Sequence, residues 1–155
     1  MKVIKEAIER TLSSRPISKV DWAASPFLAV KLSGKNAVGD FGENLYYELG
    51  IGSGIPSSII KKGHDVLVGN KKVEVKTSFQ GKSRRFSFNQ IYEHKDFTHI
   101  VFVFTWPEKI QVWECERPLD FGQHFKINNG WMWSGSSPSK LDGALWTKIH
   151  EEYHE

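Results

Sequence analysis

GHDVLVGNKKVEVKTS, residues Gly63 to Ser78, decides the fold because it has the pattern of a two-stranded β-hairpin. β-Branched residues recur in two short arms, Asp65 to Val68 and Val73 to Lys76, and Gly69-Asn70 is a favoured turn between them. The sequence therefore predicts an antiparallel pair of strands, around which the rest of the chain is arranged.

The charged residues of this hairpin are expected to meet on one side of it. Side chains alternate across a strand, so Val73 and Val75 point to one face while Glu74 and Lys76 share the other. Asp65 opens the first arm, and the hairpin is expected to bring its carboxylate beside that of Glu74. Two carboxylates and an ammonium at the end of a sheet form a site for a hard divalent cation and a phosphate.

The composition is that of one ordinary globular domain, which we expect to span residues 1–155. With 155 residues, of which 39% are hydrophobic and 25% charged, the chain can bury a core without covalent staples. Its one cysteine, Cys115, excludes an intrachain disulfide framework, and no signal peptide or apolar span is evident, so we expect a cytoplasmic protein without membrane contact. The net charge of +3 permits nucleic-acid binding without requiring it.

Residues 1–35 are predicted to form an N-terminal helix and a connector. Residues 2–13 (KVIKEAIERTLS) have an apolar stripe with the helical period, which indicates a packing or dimerisation helix. Prolines and serines in residues 15–26 predict an irregular connector, and residues 31–34 predict a loop.

A second helix is predicted over residues 36–49, immediately before the hairpin. Gly50 is a good C-terminal stop for it. Gly39, Gly42 and Glu43 form a slim side that can pack closely against the sheet.

The segments next to the hairpin have mixed character. Residues 51–62 predict a loop and a short apolar piece that extends the first arm. Residues 79–85 (FQGKSRR) form a basic loop, which suits either phosphate binding or plain solvent exposure. Residues 85–91 alternate as a strand, and we expect this strand to run into a short helix over residues 89–95.

Two further strands are predicted downstream. Residues 98–106 (THIVFVFTW) form a nearly continuous apolar run, which is typical of a central strand buried on both faces. Residues 110–115 (IQVWEC) alternate as a half-buried strand, in which Cys115 is interpreted as a small hydrophobic residue rather than a nucleophile.

Residues 116–155 form an aromatic and loop-rich C-terminal segment. Trp131 and Trp133 lie in a stretch rich in glycine and serine, and residues 141–153 predict a closing helix. We interpret the polar loop as a DNA contact, and the tryptophans as a lid over an open sheet edge and a dimer interface.

The six histidines show no spacing typical of a zinc site. His150 and His154 form the one close pair, and a solvent-exposed tail explains them. His64, next to Asp65, is the histidine of interest.

The spacing of Asp65, Glu74 and Lys76, written D-x8-E-x-K, resembles the active-site signature of the PD-(D/E)XK nuclease superfamily, which includes most type II restriction endonucleases. The leading proline of that signature is replaced by His64. The resemblance extends over residues 36–115, about half the chain. It implies an α/β fold with a restriction-endonuclease-like core, a mixed central β-sheet flanked by helices.

The resemblance also implies a metal-dependent mechanism. Asp65 and Glu74, with the backbone carbonyl of Val75, would hold one or two Mg²⁺ ions. Lys76 would position or deprotonate water and offset charge on the phosphate. A glutamate on the preceding helix completes the metal site in many members, which nominates Glu43 ahead of Glu48.

Further contacts follow from the same resemblance. Gln90 occupies the region where many members carry a polar residue that orients water or a phosphate oxygen. DNA binding is expected from the basic loop and its neighbours, which are Lys82, Arg84, Arg85, Ser78 and Asn89.

Several functions remain open from the sequence. The first is a type II restriction-type DNA endonuclease, expected to be a homodimer because cutting both strands requires two sites. A Holliday-junction resolvase or DNA-repair nuclease is the near alternative, because 155 residues is short for a restriction enzyme. A non-catalytic DNA-binding module on the same fold is the third, and a plain salt-bridge ladder on the hairpin would also produce the three charged residues.

Overall fold

The computed structural model describes residues 6, 20–119, 122, 124–127 and 129–153. The predicted N-terminal helix over residues 2–13 lies outside the described residues, apart from Glu6. The described part contains two helices, nine strands and one 3₁₀ turn: α1 (Leu28–Leu32), α2 (Lys35–Gly52), β1 (Ser57–Ile59), β2 (Val66–Val68), β3 (Lys71–Phe79), β4 (Phe86–Ile91), β5 (His99–Thr105), β6 (Lys109–Glu116), β7 (Phe125–Ile127), β8 (Trp131–Gly135), the 3₁₀ turn (Pro138–Lys140) and β9 (Trp146–Tyr153). Neither of these helices is long and apolar enough to span a membrane.

The fold is mixed α/β, built on a six-stranded mixed sheet. Its strand order is β1-β2-β3-β5-β6-β9, with β3 and β5 parallel and the other neighbours antiparallel. β4, β8 and β7 form a second, three-stranded antiparallel sheet. The predicted hairpin is confirmed as β2 and β3, and the predicted central strand as β5, buried along almost its whole length.

The large sheet is covered differently on its two faces. On one face α2 packs against valines of β2, β3, β5 and β6. On the other face the small sheet packs through aromatic side chains, and the Phe88 ring stacks on Phe102 with centroids 4.0 Å apart. The prediction of a sheet flanked by helices is therefore right for one face only in the described part of the chain, because the β3–β5 crossover forms a strand.

Helix α2 approaches the sheet through two glycines. It contains four glycines, which lower helix propensity, so packing must stabilise it. A Cβ atom at Gly42 would lie 1.8 Å from Thr77 Oγ1, and one at Gly50 would lie 2.3 Å from Ser57 Oγ. The predicted stop at Gly50 is wrong by two residues, because this glycine is a packing contact within the helix.

Gly42→Ala should lower the free energy of unfolding by about 1–3 kcal/mol, because the added methyl forces α2 away from β3. The matched control is Gly39→Ala, three residues earlier, where a Cβ meets nothing within 4 Å. That variant should be stabilised by roughly 0.5–1 kcal/mol through helix propensity alone. Urea unfolding of both variants checks the prediction, and equal effects at the two glycines would contradict it.

Three predictions near the hairpin need correction. Residues 28–32 form helix α1 where residues 31–34 were expected to be a loop. The short apolar piece before the hairpin is a separate strand, β1, antiparallel to β2. No helix covers residues 89–95, because Ile91 still belongs to β4 and a turn follows at Tyr92.

The predicted closing helix over residues 141–153 is wrong, because Trp146–Tyr153 forms edge strand β9. Its apolar residues fit either period, while Thr147, Ile149 and Tyr153 favour a strand. Antiparallel pairing with the open edge of β6 decides the outcome.

The tryptophans of the C-terminal segment serve the core. Trp133 is 1% exposed and Trp146 is 4% exposed, and both belong to the aromatic cluster between the two sheets. The interpretation of the tryptophans as a lid over a sheet edge is wrong for Trp133, whose side chain lies between the two sheets. Trp146 begins β9, the strand that covers the edge of β6, although its ring lies in the core.

Candidate active site

A cavity forms where strand β3 outruns its neighbour. β2 pairs only with Lys71–Val73, whereas β5 pairs with the strand as far as Phe79. Beyond Val73, β3 therefore has no partner among the described strands on its β2 side. A cavity of about 780 Å³ lies along this open edge, between the N-terminal half of α2 and strand β4.

The predicted catalytic residues all line this cavity. Glu43 lies on α2 and Asp65 lies immediately before β2. Glu74 and Lys76 lie on β3, and Gln90 lies on β4. Glu48, the competing helix glutamate, is exposed and does not line it. The fold thus collects residues that are up to 47 positions apart in the sequence, from position 43 to position 90.

Asp65 is anchored to the open edge of β3. Its backbone N–H donates to the Val73 carbonyl at 2.9 Å, and its Oδ2 accepts from the Val75 N–H at 2.8 Å. Because the N–H and C=O of one strand residue point to the same edge, the Val75 carbonyl points to the side that Asp65 occupies. The Asp65 pKa is raised by burial and by the charge of Glu74, and the Val75 N–H only partly offsets this.

Glu74 is the most deeply buried charged side chain of the site, at 1% exposure. Its Oε1 pairs with Lys76 Nζ at 2.9 Å and with Lys95 Nζ at 2.8 Å. Its Oε2 is buried and has no hydrogen-bond partner among the described residues. A buried carboxylate oxygen without a partner is costly, so this atom is a candidate ligand for a cation.

Glu43 faces the cavity from the other side. Burial and the charge of Asp65 raise its pKa. Lys61 Nζ lies 3.5 Å from Glu43 Oε2, which is an ion-pair distance too long for a good hydrogen bond, and Lys61 also binds Asp40 at 2.9 Å. Glu43 is thus near the other carboxylates and only loosely held.

The donor set fits Mg²⁺, although it is incomplete. Across residues 20–119 and the other described positions, no three His, Cys, Asp or Glu side chains lie close enough together to hold a metal ion. Asp65, Glu74 and the Val75 carbonyl supply hard oxygen donors, and Glu74 Oε2 is uncommitted. Mg²⁺ commonly uses one or two carboxylates and keeps several waters, so this partial set is chemically suitable.

Gln90 reaches the cavity through a β-bulge. The register between β4 and β8 shifts between Phe88 and Ile91, and Gln90 has a φ of 55°. A non-glycine residue in this region is uncommon, and bulges of this kind often redirect a side chain next to an active site.

The predicted DNA-binding residues divide into two groups. Lys82, Arg84, Arg85 and Asn89 are exposed, and Asn89 lines the cavity. Ser78 is only 8% exposed, and its Oγ accepts from the Ser87 N–H at 3.0 Å. Ser78 therefore joins β3 to β4, and it also lines the cavity.

The sequence reasoning missed Lys95, which lines the cavity and binds Glu74. Lys95 falls within the predicted helix over residues 89–95, which does not form. No local sequence pattern links Lys95 to Glu74, which lies 21 residues earlier on β3. Lys31 and Lys35, at the junction of α1 and α2, line the same cavity and were also missed.

No protein-family model matches the chain, and neither the curated proteins nor the solved structures gave a significant match.

Proposed function

We propose that this chain is a Mg²⁺-dependent endodeoxyribonuclease with a PD-(D/E)XK, restriction-endonuclease-like core. What supports the proposal most is that Asp65, Glu74 and Lys76 line one cavity at an open strand edge. A surface salt-bridge ladder, the plain alternative, does not account for Glu74, since that carboxylate is 1% exposed and leaves Oε2 unpaired.

Asp65, Glu74 and the Val75 carbonyl would hold the cation, with Glu43 close by. A bound Mg²⁺ supplies Lewis acidity and a more acidic water at the phosphate. Burial and, after it, repulsion from a neighbouring carboxylate raise the pKa values of Asp65 and Glu43 when no cation is bound. A bound cation would therefore stabilise the ionised carboxylates in the cavity.

Lys76 would bind the scissile phosphate. Its side chain is 19% exposed and shares the cavity with the carboxylates, so its ammonium can bind a non-bridging phosphate oxygen as negative charge grows. In the reaction, the water oxygen forms a bond to phosphorus and gives up a proton to solvent. The bond from phosphorus to the leaving oxygen breaks with its electron pair on that oxygen, which takes up a proton from solvent. Gln90 would orient the water or the phosphate by hydrogen bonds.

The cavity surroundings suit a polyanion. Lys31 and Lys35 line the cavity, and the loop after β3 carries Lys82, Arg84 and Arg85. Lysine and arginine contacts to phosphates provide affinity that is independent of sequence and sensitive to salt.

The test is Mg²⁺-dependent cleavage of plasmid and phage DNA by the wild type and by Lys76→Ala. Lys76→Ala should lower the cleavage rate by roughly 10²–10⁴-fold, the range expected for a positioned catalytic group. Lys72→Ala is the matched control, because Lys72 lies on the same strand, pairs with Asp96 at 2.9 Å and does not line the cavity. Equal rates for wild type and Lys76→Ala would contradict the assignment.

The products separate the alternatives. Discrete fragments support a restriction-type enzyme, and linear product formed without a nicked intermediate supports the proposed homodimer with two sites. Cleavage only of branched or single-stranded DNA supports a resolvase or repair nuclease. Binding of DNA at low salt without any cleavage by the wild type would leave the non-catalytic module.

A further inference from the structure

Two lysines converge on a single carboxylate oxygen in the cavity. Lys76 Nζ and Lys95 Nζ lie 2.9 Å and 2.8 Å from the same Oε1 atom of Glu74. One ammonium is sufficient to neutralise Glu74, so Lys95 adds positive charge to a cavity that also holds Asp65. Among the described residues Lys95 has no other ion-pair partner.

Arg117 holds the backbone of the turn that carries Lys95. Arg117 donates from its guanidinium to the backbone carbonyls of Glu93, Lys95 and Phe97, at 2.8 Å for Lys95 and 3.2 Å for Phe97. The same guanidinium lies over the Phe97 ring, 4.1 Å from its centroid. The turn that carries Lys95 is thus held in place from the other side, as a preorganised functional group requires.

Lys95 lies between the buried carboxylate of Glu74 and the cavity. Its side chain is 32% exposed and lines the cavity, so the ammonium can reach a bound molecule. A charged group held at a cavity wall in this way is typical of functional sites.

We propose that Lys95 is a second catalytic lysine, which balances Glu74 together with Lys76 in the cation-free protein and binds the scissile phosphate in the DNA complex. This rests on the proposed nuclease function. Lys95 binds Oε1 of Glu74, whereas a divalent cation would bind the unpartnered Oε2. The two like charges would repel each other across one carboxylate, so a bound cation would weaken the ion pair of Lys95. The freed lysine then faces a phosphodiester whose negative charge grows during hydrolysis.

The test compares wild type, Lys95→Met and Lys95→Arg in two measurements. Single-turnover cleavage at saturating Mg²⁺ reports the chemical step, and calorimetric titration with Mn²⁺ in the absence of DNA reports the cation site. Lys95→Met should lose on the order of 10²-fold or more in cleavage rate. Its Mn²⁺ affinity should rise, because a positive charge beside the cation site has been removed. Lys95→Arg should retain part of the cleavage.

A merely structural lysine would behave differently. Replacing a merely structural lysine would lower the Mn²⁺ affinity, and saturating cation would restore cleavage by Lys95→Met. Either result overturns the proposal. Cleavage by Lys95→Met at the wild-type rate also overturns it, while leaving the nuclease function intact. A wild type that neither binds Mn²⁺ nor cleaves DNA overturns the proposed function and this inference together. If Lys95→Met does not fold, the same two measurements on Lys95→Gln and Lys95→Arg, cleavage rate and Mn²⁺ affinity, test the proposal.

Discussion

Asp65→Asn should lower the rate of cation-dependent DNA cleavage by about 10³-fold or more, and should raise the melting temperature of the cation-free protein. Both effects have one cause. The Asp65 carboxylate is buried beside Glu74, and this raises its pKa above the ordinary value of 3.8. Asparagine can still accept the hydrogen bond from the Val75 N–H, so the substitution removes mainly the charge.

The sign of the stability effect follows from proton linkage. A raised pKa in the folded state means that the folded protein binds the proton more tightly than the unfolded chain does. Protonation of Asp65 therefore favours the folded state of the wild type. The free energy of unfolding of the wild type decreases as the pH rises from the ordinary pKa of 3.8 through the raised pKa of Asp65 in the folded protein. The advantage of Asp65→Asn should be full at neutral pH and should disappear toward pH 3.8 and below.

Thermal melts across this pH range, with and without Mg²⁺, check the prediction. Mg²⁺ at ten times its dissociation constant should stabilise the wild type by about 1.4 kcal/mol and should not stabilise Asp65→Asn. Asp96→Asn is the control of opposite sign, because Lys72 lowers the pKa of Asp96. That variant should gain no stability at neutral pH, and a lower melting temperature for Asp65→Asn would contradict the argument.

The second large effect is expected in the core, at Phe102. This ring is fully buried, stacks on Phe88 and lies 4.6 Å from the Trp146 ring between centroids. Phe102→Ala should cost about 3–5 kcal/mol of unfolding free energy, because it removes the ring that joins the two sheets and leaves a cavity. The melting temperature should fall by roughly 10 °C.

Ile127→Ala is the control, because this apolar side chain is 76% exposed and its loss should change stability by less than about 0.5 kcal/mol. Urea unfolding of both variants measures the difference, and a loss below about 1 kcal/mol for Phe102→Ala would contradict the role of the aromatic layer. Because Phe88 precedes the bulge at Gln90, loosening this layer should also weaken Mg²⁺-dependent cleavage.

The hairpin and the central strand were predictable because their signals are local. Alternation in Val73–Lys76 assigns each side chain to a face, and the Gly69-Asn70 turn sets which arms pair. The continuous apolar run of β5 likewise indicates burial on both faces, whatever packs there. Helix α2 was predicted to within one residue at its start and three residues at its end for the same reason.

The sequence alone thus determined the β2–β3 hairpin, the faces of its charged residues and the burial of β5, since each depends on neighbours a few residues apart. Tertiary structure decided that Glu43 lies beside Asp65, that Lys95 shares Glu74 with Lys76 and that Trp146–Tyr153 is a strand. Each of these outcomes depends on a partner far away in the chain, such as the open edge of β6. Local periodicity carries no information about such partners, because the free energy that selects them comes from long-range pairing and burial.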